Sequence, residues 1–417
     1  MDGSRALHSL STEKPHFRTP PAAARGTVVV HGSRLSTPMY AHEKAALVHV
    51  ASAIARLKQY DLAHSYSDAL RQSGRVFFVP DDSLTSDEAS SLGAGCASEI
   101  FGAIVPYPFV KTKAITHRLV HDDAERPEGW SSAFSDRVRE AVLPGYTAFS
   151  ARDAVAAARM LLRLGPVRLK PPLCCRSVGQ VVANEERAVK AFLDQYPSEE
   201  LAAYGLVLET NLQQVETLSV GKIAIDDMIA TYFGVQRTTK NNTGEPVYGG
   251  SDLVCVRGDW GALEALATNG DIRAAIAQAR CYDAAAEEYP GFLASRRNYD
   301  VGNGFDARGR KLSGVFEASW RIGGASTAEL AALTAYAHDP SLQVVAASSV
   351  KKFGRGHRIP CHAIVHYLDD DPLDGPIARY TTVRTSPTHR LAQSFNVPVG
   401  PGAGADHAGR RTVSWRA

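Results

Sequence analysis

The stretch Glu317-Ala318-Ser319-Trp320-Arg321-Ile322-Gly323-Gly324 decides how this 417-residue chain is read. An acidic residue closes an apolar run, a short hydroxyl follows two positions on, and an arginine and paired glycines come next. Side chains two apart on a strand share a face, so Glu317, Ser319 and Arg321 are expected side by side. Glu317 and Ser319 could then reach one hard cation, and Arg321 could neutralise a phosphate or carboxylate next to it. Gly323 and Gly324 would let the backbone approach an anion. An edge strand with a surface salt bridge would read the same way.

Upstream lies Arg296-Arg297-Asn298-Tyr299-Asp300-Val301, then Asp306-Ala307-Arg308-Gly309, a turn signal. The turn would fold 299–302 back on 312–317 as an antiparallel pair, bringing Asp300 near Glu317. Two carboxylates meeting across a hairpin repel unless a cation sits between them. Magnesium, held by one or two carboxylates together with nucleotide phosphates, suits that need.

Outward from the hairpin, Thr27-Val28-Val29-Val30 and Arg75-Val76-Phe77-Phe78-Val79 read as strands. Between them Leu47, Val50, Ile54 and Leu57 fall at helical spacing, which makes an N-terminal βα lobe. Ser150 with Asp153 opens a helix that stops at Gly165-Pro166. Asn184 is expected to cap a helix carrying Val189, Phe192, Leu193 and Tyr196. Strands are expected at 206–208, 218–225, 231–235, 312–316, 343–348 and 361–367, and a helix capped by Ser326 or Thr327.

Bulk properties narrow the classes. The hydrophobic fraction of 44% supports two or three lobes, and 22% charged residues is ordinary for a soluble chain. No apolar run reaches the ~18 residues of a membrane span. The first 26 residues lack an apolar secretory core. The net charge of +2 is uneven, because residues 1–26 carry +2 and 386–417 carry +3, leaving −3 between them. A mildly acidic body argues against a nucleic-acid surface. The basic ends read as solvated disordered tails, with an interaction arm as the alternative. Six cysteines without CxxC spacing, two of them adjacent (Cys174 and Cys175), suit reduced thiols in a cytoplasmic protein. His362 and His366 are four apart on an expected strand, so ~13 Å apart and structural rather than metal-binding.

With these residues in view, Asp300…Glu317-x-Ser319-x-Arg321-x-Gly323-Gly324 resembles the metal-binding hairpin of the ATP-grasp superfamily, whose pattern is an acidic residue and then Glu-x-Asn-x-Arg-x-Gly-Gly. The departure is Ser319 in place of Asn, a weaker magnesium ligand. Val167-Arg168-Leu169-Lys170-Pro171 resembles the strand whose lysine holds the ATP phosphates. Arg176-Ser177-Val178-Gly179-Gln180 resembles the glycine loop over the γ-phosphate, with fewer glycines. Lys113, in Lys111-Thr112-Lys113, resembles the earlier nucleotide lysine. Leu206-Val207-Leu208-Glu209-Thr210-Asn211-Leu212 resembles the adenine hinge.

The resemblance covers about 27–385 and implies an α/β (α+β) ATP-grasp fold. It implies a tail at 1–26, a βα lobe at 27–112, a central lid-bearing lobe at 113–205, a C-terminal lobe at 206–385 and a tail at 386–417. It implies ATP held by Lys113, Lys170, Ser177, Gly179, Glu209, Asn211 and Leu212, with Glu216 on the ribose hydroxyls, and Mg2+ held by Asp300, Glu317 and Ser319. Arg321, Arg297 and Arg237 would serve the transferred phosphate or the substrate carboxylate, with Asn241 beside them in a polar segment that otherwise reads as a long surface loop. The implied activity is that of an ATP-dependent ligase, forming an acyl-phosphate for attack by an amine or similar nucleophile; the arrangement also resembles biotin carboxylases. The implied partners are a small-molecule carboxylate and a nucleophile, with no nucleic acid and no membrane, and a homodimer is compatible. Two alternatives stand beside it. Ser319 and the glycine-poor loop suit a nucleotide-binding protein without ligase activity. His31-Gly32-Ser33-Arg34, after a strand, suits a nucleotide-cofactor oxidoreductase or transferase, though without the full glycine fingerprint.

Overall fold

The computed structural model describes residues 26–32, 39–173, 179–267 and 269–385. Ser177, in the expected phosphate loop, and Ser33-Arg34 lie outside the described residues, as do the two tails and Cys174-Cys175.

The chain forms an α+β fold with three bodies of structure. In the first, Gly26–His31 lies between Asp61–Ala63 and Arg75–Pro80 in a parallel sheet. Val28 and Val29 point to opposite faces and both are fully buried. Val28 packs with Leu47, Val50 and Ile54 of the helix Ala41–Lys58, and Val29 packs with Val76, Phe78 and Leu84. An apolar run without alternation is what a sheet covered on both sides requires.

The second body is a four-stranded antiparallel sheet in the order Gly145–Ala148, Leu206–Thr210, Val167–Lys170, Val181–Ala183. The helices Ala151–Leu162 and Glu186–Leu193 cover it over a core including Ala154, Ala157, Leu161, Val167, Leu169 and Leu208. Ser150 accepts the Asp153 N–H, as the capping pattern expects. The next helix has Glu185 rather than Asn184 at its N-cap, with no side-chain bond there.

The third body is an eight-stranded antiparallel sheet. Its order is Lys311–Ser319, Arg296–Phe305, Gln213–Ile225, Met228–Lys240, Pro246–Arg257, Val344–Phe353, Gly375–Arg384, Ile364–Asp371. Alternation sends Val220, Phe233, Val254, Tyr299 and Val301 to one face, against the helix Gly270–Glu287. It sends Ile223, Tyr232, Leu253, Cys255 and Val345 to the other, against Ala41–Lys58 and Ser326–His338. The polar segment 236–244, for which a long surface loop was one of two readings, is strand as far as Lys240. Asn241 sits in the tight turn that follows, where its Oδ1 accepts from Thr243 N, Thr243 Oγ1 and Glu245 N. It serves the turn rather than a ligand. No helix among the described residues is long and apolar enough to cross a membrane.

Candidate functional site

The hairpin forms as its turn chemistry demands. Asp306 Oδ1 accepts from the N–H groups of Arg308 and Arg310, each at 2.9 Å, and Gly309 takes φ +73°. The register places Asp300 opposite Glu317 and Asn298 opposite Ser319, with a bulge between Asp300 and Val301. Phe316 is the extra residue of that bulge. Its ring covers Gly302, where a Cβ would come within 1.9 Å of it, so a larger residue there would displace the ring.

Asp300 accepts from Asn298 Nδ2 at 2.9 Å and from Ser219 Oγ at 3.4 Å. Burial, and then the negative charge of Glu317, raise its pKa above the usual carboxylate value. Glu317 Oε2 lies 3.3 Å from Lys113 Nζ, whose side chain is only 2% exposed. Neighbouring Lys111 turns away, to Asp82 at 3.5 Å.

The facing wall comes from the four-stranded sheet. Val167 and Leu169 enter its core, so Arg168 and Lys170 alternate towards the hairpin. Lys170 Nζ donates to Glu209 Oε1 at 2.5 Å and lies 4.5 Å from the centre of the Phe316 ring. His117 Nε2 lies 3.1 Å from Glu209 Oε2. All three of these polar groups are buried. Burial pulls the Lys170 ammonium below its usual pKa, against the opposing pull of Glu209. Burial alone would raise Glu209, but Lys170 and His117 hold its pKa down. Arg168 donates to Asn211 Oδ1 at 2.8 and 3.1 Å and to Gln180 Oε1 at 3.3 Å. Gly179, beside Gln180, takes φ +74°.

Between the two walls lies a cleft of about 280 Å³ whose lining includes Lys113, Arg168, Lys170, Glu209, Asp300 and Glu317. Leu212 and Val215 add an apolar stretch. Residues distant in sequence thus converge: Lys113, Arg168 and Lys170 meet the carboxylates Asp300 and Glu317 at one cleft. Asn211 contributes by holding Arg168.

Other expected residues sit elsewhere. Glu216 is exposed, while Val215 and Thr217 line the cleft, so alternation turns it to the opposite face. Arg297 lies on the far face of the sheet from Asp300, with Nη1 3.2 Å from Asp283 and 2.6 Å from Glu287. Gln236 lines the cleft, which turns Arg237 away, onto Asp252 at 3.3 Å and the Ser349 carbonyl at 2.9 Å. The strand ends at Ser319, so alternation no longer governs Arg321, whose Nε lies 3.6 Å from Asp82. Ser319 Oγ lies 3.5 Å from Arg296 Nη1, a cation where a metal ligand was expected. The Gly323 N–H donates to Ser326 Oγ, and Gly324 makes room for the Tyr248 ring, so neither glycine is set to cradle an anion.

Sequence reasoning passed over Arg168, His117, Gln236 and Asn298. Arg168 was within reach, standing two positions before Lys170 on one strand. His117 and Gln236 required the tertiary fold.

The donor set fits a hard divalent cation. Asp300 and Glu317 share one face, and the Lys113 ammonium at Glu317 marks the place where positive charge is wanted. Among the described residues, no cluster of three or more His, Cys, Asp or Glu side chains forms a fuller cage.

Two antiparallel sheets thus face each other over a cleft lined by lysines and carboxylates. The chain belongs to the family described as "Protein of unknown function (DUF3182)", which matches residues 28–381. No curated protein matches it. Among solved structures it is similar to N5-carboxyaminoimidazole synthetase from Staphylococcus aureus, at 11% identity over 88% of this chain and 96% of that one, with a TM-score of 0.49. It is also similar to the biotin carboxylase domain of Hydrogenobacter thermophilus 2-oxoglutarate carboxylase, solved with MgADP, ADP and bicarbonate, at 12% identity over 87% of each chain and a TM-score of 0.48. A third is D-alanine–D-alanine ligase from Bacillus anthracis, at 11% identity over 75% of this chain and 95% of that one, with a TM-score of 0.42.

Proposed function

We propose that the chain is a magnesium-dependent ATP ligase that activates a small carboxylate as an acyl-phosphate for attack by an amine or similar nucleophile. One observation carries this reading: Lys113, Arg168 and Lys170 meet Asp300 and Glu317 across a single cleft. A triphosphate needs that division of labour, with fixed cations on one side and a metal-bearing acidic pair on the other.

Asp300 and Glu317 would hold magnesium, which when bound supplies charge neutralisation on the phosphate oxygens. Lys113 and Lys170 would exchange their carboxylate partners for phosphate oxygens, and Arg168 would add a third positive charge. Leu212 and Val215 offer an apolar wall for a purine. Phe316, over Gly302 and beside Lys170, keeps water from that side of the reacting phosphate. No side chain has to become a covalent intermediate.

The test is ADP release against a panel of carboxylates, bicarbonate included, with amines as co-substrates. The wild type should release ADP with at least one pair, and Glu317→Gln should abolish release while keeping its thermal unfolding temperature. Unchanged release in the variant would remove Glu317 from the mechanism.

A second reading is a nucleotide-binding protein without ligase activity. It is favoured by the placement of Arg237 and Arg297 on the far face of the sheet, and of Ser319 beside Arg296. Saturable ATP binding with no acceptor-dependent ADP release across the panel would select it.

A further inference from the structure

Asp300 and Glu317 offer two carboxylates, and a hard divalent cation completes its shell with neutral oxygens or water. Ser219 and Gln236 stand beside them, and the register adds a neutral amide on the hairpin itself. Asn298 stands opposite Ser319 and two positions before Asp300, so it shares their face, and it is almost fully buried. One end of its amide lies 2.9 Å from Asp300 Oδ1, and the other lies 2.9 Å from the Tyr232 hydroxyl.

Counting protons decides what that amide wants. Tyr232 has one proton to donate. Glu329 Oε1 lies 2.5 Å from its oxygen, closer than Asn298, and a carboxylate is the stronger acceptor. Once that proton goes to Glu329, the phenol oxygen presents a lone pair to the amide, which an N–H matches and a carbonyl oxygen does not. A half-turn of the Asn298 side chain supplies the match and swings Oδ1 onto Asp300. Two oxygens at that separation, with Glu317 opposite, call for a cation among them. Arg296 occupies the alternative place, beside Ser319.

We propose that Asn298 is the third protein ligand of the divalent cation, its amide oxygen reaching the metal from across the hairpin in place of a side chain at 319. The proposal rests on the reading of this cleft as a metal–nucleotide site.

The test uses Mn2+ as probe, with free Mn2+ followed by electron paramagnetic resonance, on the full chain saturated with ADP. Wild type, Asn298→Ala and Asn298→Asp are compared, and ADP affinity in EDTA is measured for each. Asn298→Ala should bind Mn2+ at least about tenfold more weakly. Asn298→Asp should recover to within about threefold of wild type or bind more tightly, because a carboxylate oxygen replaces the amide oxygen and adds charge. ADP affinity in EDTA should be the same in wild type and Asn298→Ala, which also reports that the site has folded. Mn2+ affinity in Asn298→Ala equal to wild type would overturn the proposal. So would Asn298→Asp binding worse than Asn298→Ala, because Asn298 would then act as an N–H donor to Asp300. A wild type that binds ADP but not Mn2+ defeats this inference alone, while one that binds neither also removes the nucleotide reading.

Discussion

Two buried ion pairs lie on either side of the hairpin, and they are built differently. Arg296 and Glu329 tie the hairpin to the helix Ser326–His338. The Arg296 guanidinium gives Nε and Nη2 to Glu329 and Nη1 to the carbonyls of Ser319 and Arg321, and Tyr232 adds its own bond to Glu329. Lys170 and Glu209 form the other pair, on the wall of an open cleft, and Lys170 is a compact point charge donating to the Glu209 carboxylate. A planar fork with its donors committed is a fixture, whereas an ammonium at a cleft can change partners. We read the first pair as holding the site in shape and the second as serving it.

That contrast can be tested. The largest effect is expected for Arg296→Met, which leaves buried Glu329 with only the Tyr232 hydroxyl and strips two carbonyls. Removing one partner of a buried pair costs about 3–5 kcal/mol, to be read as loss of denaturant stability or failure to fold. Lys170→Met should cost less, because Glu209 keeps His117 and faces the cleft. Its signature should instead be at least about tenfold weaker ATP binding by calorimetry, a loss of about 1.4 kcal/mol. Equal stability loss in the two variants would erase the distinction.

The pH dependence sharpens it further. Glu209 has a folded-state pKa below its ordinary 4.5. A carboxyl shifted down contributes stability that is present above the unfolded value and lost as pH falls through the folded one. The advantage of wild type over Glu209→Gln should therefore shrink as the pH drops below 4.5, measured by urea unfolding at several pH values. The smallest effect is expected for Arg237→Ala, on the far face of the sheet, which should leave ATP affinity within about twofold and stability within about 0.5 kcal/mol.

The hairpin was legible because two local signals agreed: a turn sequence at Asp306–Gly309 and carboxylates at positions that the turn brings opposite each other. Lys170 was legible because its strand is short and bounded by Pro171. Arg237 and Arg297 were misplaced for one reason. Whether Gln236 or Arg237, or Asn298 or Arg297, faces the cleft depends on strand register and bulges, and a shift by one residue exchanges the faces. Glu216 misled in the same way, because the strand begins at Gln213 and alternation was already running. The helix Gly270–Glu287 went unread. It is rich in alanine, and its buried positions show little contrast with its exposed ones. His117 reaches Glu209 from 92 residues away, which no spacing rule could anticipate.

The central claim is that one cleft holds a nucleotide triphosphate between Lys113 and Lys170 on one side and a metal ion on Asp300 and Glu317 on the other. A crystal structure of the full chain with Mg2+ and a non-hydrolysable ATP analogue tests it most directly. Phosphate oxygens should lie within hydrogen-bond reach of both lysine ammonium groups, with a metal ion ligated by both carboxylates. A nucleotide bound elsewhere on the molecule, or bound here with Asp300 and Glu317 still facing only Lys113 and Asn298, would contradict it.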